Sequence, residues 1–257
     1  MNSQRRGTWQ RIIHYGILAV GAVALTASAC AENDGSVFVV QVMAPPTPAA
    51  DGTCTYTNSP TSAFLGGGTL DVGLATSYSP VMLLGNQLVA RGNAQESRVE
   101  TNRVQIQGSV VRVTDAAGTE LRSYTVPASG FIDVASGTTP GYGLASTTLV
   151  DPDTAASLRT ALAGSASTRT LISYVKFFGQ TLGGTHVESG EYQFPIAVCY
   201  GCLVSFPPGS TDASQPTPNC KNAIGGSSGG TVATPCRLGQ DQVSDCRLCQ
   251  GISVCTP

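Results

Sequence analysis

The chain has 257 residues, of which 41% are hydrophobic, 12% charged and 6% aromatic, with 53 Ser and Thr and a formal net charge of −2. An apolar fraction near that of ordinary globular chains excludes disorder over most of the length. Fourteen Lys and Arg against 16 Asp and Glu leave no basic surplus to neutralise phosphates, so nucleic acid is not an expected partner.

Residues 1–29 read as an export signal. Arg5, Arg6 and Arg11 give a basic start, Ile17 to Leu25 an uncharged apolar run, and the small residues Ala27, Ser28 and Ala29 precede Cys30. The run falls short of the roughly 20 apolar residues that a membrane-spanning helix needs, so no permanent span is expected. After Arg5-Arg6 come Gly7-Thr8-Trp9 in place of apolar residues, which favours general secretion over twin-arginine export.

Ala27-Ser28-Ala29-Cys30 resembles the lipobox of bacterial lipoproteins, with Ala where Leu is commoner. The resemblance implies that the signal is cut before Cys30, that Cys30 is acylated, and that residues 30–35 form a lipid-anchored tether. The alternative is plain cleavage after Ala29 and a soluble secreted protein. Processing removes three Arg and no acid, leaving 11 basic and 16 acidic residues and a net charge of −5. Attachment to a membrane would then come from acyl chains rather than from attraction to anionic lipid. Ala31 after the Cys, where Asp would retain a lipoprotein at the inner membrane, points by analogy to the outer membrane.

Residues 36–198 predict an all-β, antiparallel β-sandwich, immunoglobulin-like or related, because short alternating apolar segments recur between Gly, Pro, Asn and Asp. Val37 to Met43 is the first strand, closed by Ala44-Pro45-Pro46-Thr47-Pro48; Thr69 to Ala75 and Val81 to Val89 follow. The clearest hairpin pairs Val104 to Thr114 with Leu121 to Val126 through Asp115-Ala116-Ala117-Gly118. The break in alternation at Gly108-Ser109 predicts a bulge or bend. Leu144 to Val150, Leu171 to Gln180 and His186 to Val198 complete the strands. One helix is expected, capped by Asp153, with Leu158, Ala161 and Leu162 on its apolar face and Gly164 at its end.

From Cys199 onward the composition changes. Pro207-Pro208-Gly209, Pro216-Thr217-Pro218 and the Gly and Ser run from Gly225 to Gly230 leave little to bury, so residues 199–257 predict an irregular segment stapled by disulfides. Besides Cys30 the chain holds eight cysteines: Cys54, Cys199, Cys202, Cys220, Cys236, Cys246, Cys249 and Cys255. An even number in an exported chain implies disulfides, and Cys54 must then reach into the carboxyl-terminal segment. The two Cys-x-x-Cys pairs, at Cys199 and Cys246, also fit a zinc site, but the 43 residues between them exceed the ribbon spacing of about 15–20. Redox work at Cys199 and Cys202 is a further alternative, weakened because Leu-Val-Ser-Phe-Pro-Pro-Gly after Cys202 cannot form the helix whose amino terminus activates such a thiol.

Catalytic constellations are sparse. His186 would be the only histidine of a processed chain, and the Gly-x-Ser-x-Gly spacing occurs only within the Gly and Ser run from Gly225 to Gly230, where no strand-to-helix elbow is expected. Glu188 and Glu191, and Asp151 with Asp153, are the acidic pairs that could suggest calcium or glycoside chemistry, yet neither has the spacing of a calcium loop, and Asp151-Pro152-Asp153 reads more simply as a turn and helix cap. Gly66-Gly67-Gly68 lacks the Lys of a phosphate loop and reads as a turn. No cofactor is implied.

The arrangement as a whole resembles uncharacterised bacterial surface lipoproteins, with the segment from Gly183-Gly184-Thr185-His186-Val187-Glu188-Ser189 through Phe194-Pro195-Ile196-Ala197-Val198-Cys199-Tyr200-Gly201-Cys202 looking like such a family's patterned core. The resemblance implies an envelope location and no catalytic residue. The leading expectation is a structural or interaction module of the bacterial cell envelope, held to the membrane through Cys30 and contacting another envelope protein or a glycan. An exported hydrolase using carboxylates or a metal is the alternative, and a thiol-disulfide redox protein the third.

Overall fold

The computed structural model describes residues 35–92, 99–206, 220 and 234–256. The export signal, Cys30 and most of the tether lie outside them, as do the Pro- and Gly-rich runs between 207 and 230. Two sheets face each other. The first has strand order β2-β1-β4-β7, made of β1 (Val37–Met43), β2 (Phe64–Leu65), β4 (Val81–Asn86) and β7 (Gly141–Ser146). The second runs β3-β10-β8-β5-β6, made of β3 (Gly68–Asp71), β10 (Tyr192–Cys199), β8 (Arg169–Thr181), β5 (Val104–Asp115) and β6 (Glu120–Ile132), with β9 (His186–Glu188) also on β8. Val42, Met82 and Leu84 from the first sheet and Val111, Val113, Val175, Phe177 and Ile196 from the second share one buried core. The all-β sandwich is therefore the fold, and its pairings are antiparallel apart from β3, which joins β10 in parallel.

Alternation accounts for the central strands. In β8, Leu171, Ser173, Val175 and Phe177 are buried while Ile172, Tyr174, Lys176 and Phe178 are partly exposed on the other face. The expected irregularity in β5 is present: the register shifts between Ile106 and Gly108 against both β6 and β8. Strand β6 continues past Val126 through Pro127, which stands opposite Gly108 at that shift. Proline is tolerated there because β6 is the last strand of its sheet and a ladder bond is already interrupted.

Four boundaries differ from the sequence reading. Strand β3 ends at Asp71, because the Asp71 carboxylate accepts from the Gly73 N–H at 2.9 Å and turns the chain. Strand β4 ends at Asn86, whose side chain donates to the Asn102 and Asp133 carbonyls and accepts from the Leu88 N–H. The predicted strand at Leu144 starts earlier, at Gly141, and stops at Ser146. The long strand expected from His186 to Val198 is broken at Ser189, whose hydroxyl accepts from the Phe177 N–H and donates to the Gly190 carbonyl.

The helix, α1 (Pro152–Leu162), is capped by Asp151 and not by Asp153: the Asp151 side chain accepts from the Asp153 and Thr154 N–H groups. Pro152 fits the first turn, where no amide donor is needed. Its buried side is Thr154, Ala155 and Leu162, with Leu158 packed at the margin, whereas Ala161 is exposed. Gly164 follows at φ +72°, a left-handed conformation that glycine adopts without a Cβ penalty.

Candidate functional site

Two places gather the polar side chains: the junction of the sandwich with the carboxyl-terminal segment, and the outer face of the second sheet. The junction is built on β3. Asp71, fully buried, accepts from the Gly73 and Gly201 N–H groups on one carboxylate oxygen, at 2.9 and 2.8 Å, and from the Leu203 N–H on the other, at 2.9 Å. Parallel register sets Asp71 beside Cys199. One carboxylate oxygen of Asp71 and the sulfurs of Cys199 and Cys202 lie within 4.8 Å of one another, the one cluster of metal-ligating residues among those described. Cys199 is buried and Cys202 exposed. Gly201 takes φ +77° at the tip of the turn, so the chain can double back between the two cysteines.

Residues 239–241 lie along the free edge of β3. Asp71 donates its N–H to the Gly239 carbonyl, and Asp241 donates its own to the Thr69 carbonyl. The Asp241 carboxylate in turn accepts from the Thr69 N–H at 2.8 Å and from the Tyr78 hydroxyl at 2.9 and 3.0 Å. Burial pushes the Asp241 carboxyl above the usual carboxylate range, although those donors pull it down. Burial, with the adjacent Asp241 charge, raises the Tyr78 phenol too. The carboxyl-terminal segment thus covers a sheet edge that would otherwise present unpaired backbone groups.

All eight cysteines beyond Cys30 are paired: Cys54 with Cys236, Cys199 with Cys202, Cys220 with Cys246, and Cys249 with Cys255. Cys54 reaches into the carboxyl-terminal segment, as the count of cysteines predicts. The two Cys-x-x-Cys pairs behave differently. Cys199 and Cys202 bond to each other, whereas Cys246 and Cys249, on a 3-10 turn, bond to separate partners, so the four sulfurs do not converge as a zinc knuckle pair.

On the outer face of the second sheet, the Arg112 guanidinium lies 4.0 Å from the Tyr174 ring centroid and reaches both Glu191 oxygens at 3.2 Å. Lys176 pairs with Glu188, and the Gln180 amide nitrogen lies 3.0 Å from His186 Nε2. His186 is exposed on the three-residue strand β9. Asp151 and Asp153 are both met by Arg122, at 3.4 and 2.8 Å, and Asp151 also caps α1. Each carboxylate of the two suggestive acidic pairs therefore has a cation or a helix end as partner, and the two pairs stand at separate places in the fold.

The cysteines of this junction are legible in the sequence, whereas Asp71 and Asp241 carry no local signal there. No protein family matches the chain, and no curated protein matches it either. Among the solved structures that match is a protein described as a putative late embryogenesis abundant (LEA) protein, aligned with a TM-score of 0.31 and 8% identity over 78% of this chain and 95% of that one.

Proposed function

We propose that the chain is a lipoprotein of the bacterial cell envelope, anchored by acyl chains on Cys30, whose sandwich serves as a rigid structural or interaction module. The supporting observation is the cysteine pairing. Eight of the nine cysteines are used in four disulfides within the chain, and the ninth, Cys30, stands at the position where the sequence resembles a lipobox. Four disulfides also fit an oxidising compartment outside the cytoplasm. The outer face of the second sheet, with Arg112 over Tyr174 beside Glu191 and with Gln180 and His186 beyond, offers planar and hydrogen-bonding groups suited to a protein or glycan surface. No helix among the described residues is long and apolar enough to cross a membrane.

The test is membrane fractionation of Cys30→Ser. The variant is expected in the soluble fraction while the wild type sediments with membranes. Equal membrane retention of the two would overturn the lipid anchor.

A further inference from the structure

We propose that Cys199–Cys202 is a thiol-disulfide exchange site, open to an incoming thiolate at Cys202, and that Asp71 is its positioning residue. The four disulfides differ in what they constrain. Cys54–Cys236 closes a separation of 182 residues and Cys220–Cys246 one of 26, whereas Cys199–Cys202 spans 3. In the loop-entropy account the stabilisation by a bond grows with the logarithm of the loop it closes in the unfolded chain, so the shortest link contributes least by this route. Its turn is also held independently. Asp71, through the Gly201 and Leu203 N–H groups, fixes the chain on both sides of Cys202 whether or not the sulfurs are joined. The bond can therefore open without the fold opening.

Access is asymmetric. Cys202 is exposed, and Cys199 is buried with its sulfur 3.6 Å from the Leu70 carbonyl oxygen. An external thiolate attacks the Cys202 sulfur, forms a mixed disulfide there and expels Cys199 as a thiolate. Cys199 then takes a proton from water, and its S–H finds the Leu70 carbonyl as acceptor. A second external thiolate attacks the outer sulfur of the mixed disulfide and releases Cys202 as a thiolate. The balance is two thiols oxidised to one disulfide and one protein disulfide reduced to a dithiol, a single equivalent per chain. The Asp71 carboxylate beside Cys199 opposes negative charge on the leaving sulfur, and so keeps the bond closed until a thiol arrives.

The experiment titrates the full chain with a limiting thiol, then alkylates and maps the modified cysteines. One arm uses glutathione and the other a reduced, unfolded cysteine-containing protein; exchange in the first alone assigns small thiols as the substrate, and exchange in the second assigns protein thiols. Cys199 and Cys202 are expected to be modified about tenfold or more ahead of the other six, with the β-sheet circular dichroism unchanged. The proposal is overturned if another pair opens first, if the pair opens only together with loss of the folded spectrum, or if it stays closed in both arms. In Asp71→Asn, exchange speeds about twofold to tenfold, since the leaving sulfur loses its like-charged neighbour. The pH profile of Cys199 alkylation in the reduced variant also moves to lower pH. A loosened turn would raise Cys199 reactivity without moving that profile, which would remove Asp71 from the site.

Discussion

Between β1 and β10 most of the large buried side chains are Val, Leu, Ile, Met and Phe of the two sheets, among them Phe177 and Phe194, and Tyr78 from the loop before β4 stacks on Phe194 at 6.1 Å between ring centroids. After Cys199 the buried cluster is Cys220, Cys246, Cys249 and Cys255, with Leu74, Val204, Leu238, Ile252 and Val254 packed around it. The first region derives its order from apolar area removed from water. The second has too little of that area, and cross-links limit its unfolded freedom instead. A change in the source of order marks a boundary. At Cys199 the kind of packing changes, but hydrogen bonds accepted by the side chains of Asp71, Asp241 and Gln240 continue across it.

Core truncation should break the first region most severely. Phe194→Ala removes a ring that is 1% exposed and stacked on Tyr78, and is expected to cost about 3–5 kcal/mol in denaturant unfolding. A cost under about 1 kcal/mol would mean that the core does not carry the sandwich.

Removing one cross-link acts next. The double variant Cys220→Ser with Cys246→Ser is expected to lose about 2–4 kcal/mol, concentrated in the carboxyl-terminal segment. Hydrogen exchange should then rise in residues 234–256 while β5 and β8 keep their protection.

Substitutions at the seam between the two regions have a smaller expected effect. Asp241→Ala leaves the Tyr78 hydroxyl and the Thr69 N–H without their acceptor and should cost about 1–3 kcal/mol. Because burial raises the Asp241 carboxyl, the folded chain holds that proton more tightly than the unfolded chain does. Its contribution is therefore complete below the ordinary Asp value of about 3.9 and is lost as pH rises through the raised folded value. Asp241→Asn keeps an acceptor oxygen and removes the charge. Comparing unfolding of wild type and Asp241→Asn between acid and neutral pH should show that this part of the pH dependence is gone.

The smallest effect is expected at His186. It is exposed and meets Gln180 at the surface, so His186→Ala should change stability by no more than about 0.5 kcal/mol. A larger loss would give this histidine a structural partner beyond Gln180.

Legibility in the sequence followed how locally each feature is encoded. The β5–β6 hairpin was readable because alternation and the Asp115 to Gly118 turn are contiguous; the Asp115 side chain accepts from the Ala117 and Thr119 N–H groups. Strand β3 was read too long because Leu70, Val72 and Leu74 keep alternating while Asp71, between them, stops the strand. Gly73 apart, the donors to Asp71 lie 130 and 132 residues away at Gly201 and Leu203, so the residues around Asp71 do not mark it as buried. The helix cap was misassigned by two residues although Pro152 was a local signal for a start at Asp151. Asp241 sits in a stretch without periodicity, and its role emerges only when residues 239–241 pair with β3.

Limited proteolysis with and without full reduction, followed by mass analysis, tests most directly the claim that the two regions are held by different forces. Reduced protein should be cut rapidly after Cys199, leaving a resistant fragment from about Val37 to Val198, while oxidised protein is cut slowly throughout. Collapse of sandwich and carboxyl-terminal segment together on reduction would contradict the account, because the link from Cys54 to Cys236 and the hydrogen bonds of Asp71 and Asp241 would then be what holds the sandwich as well.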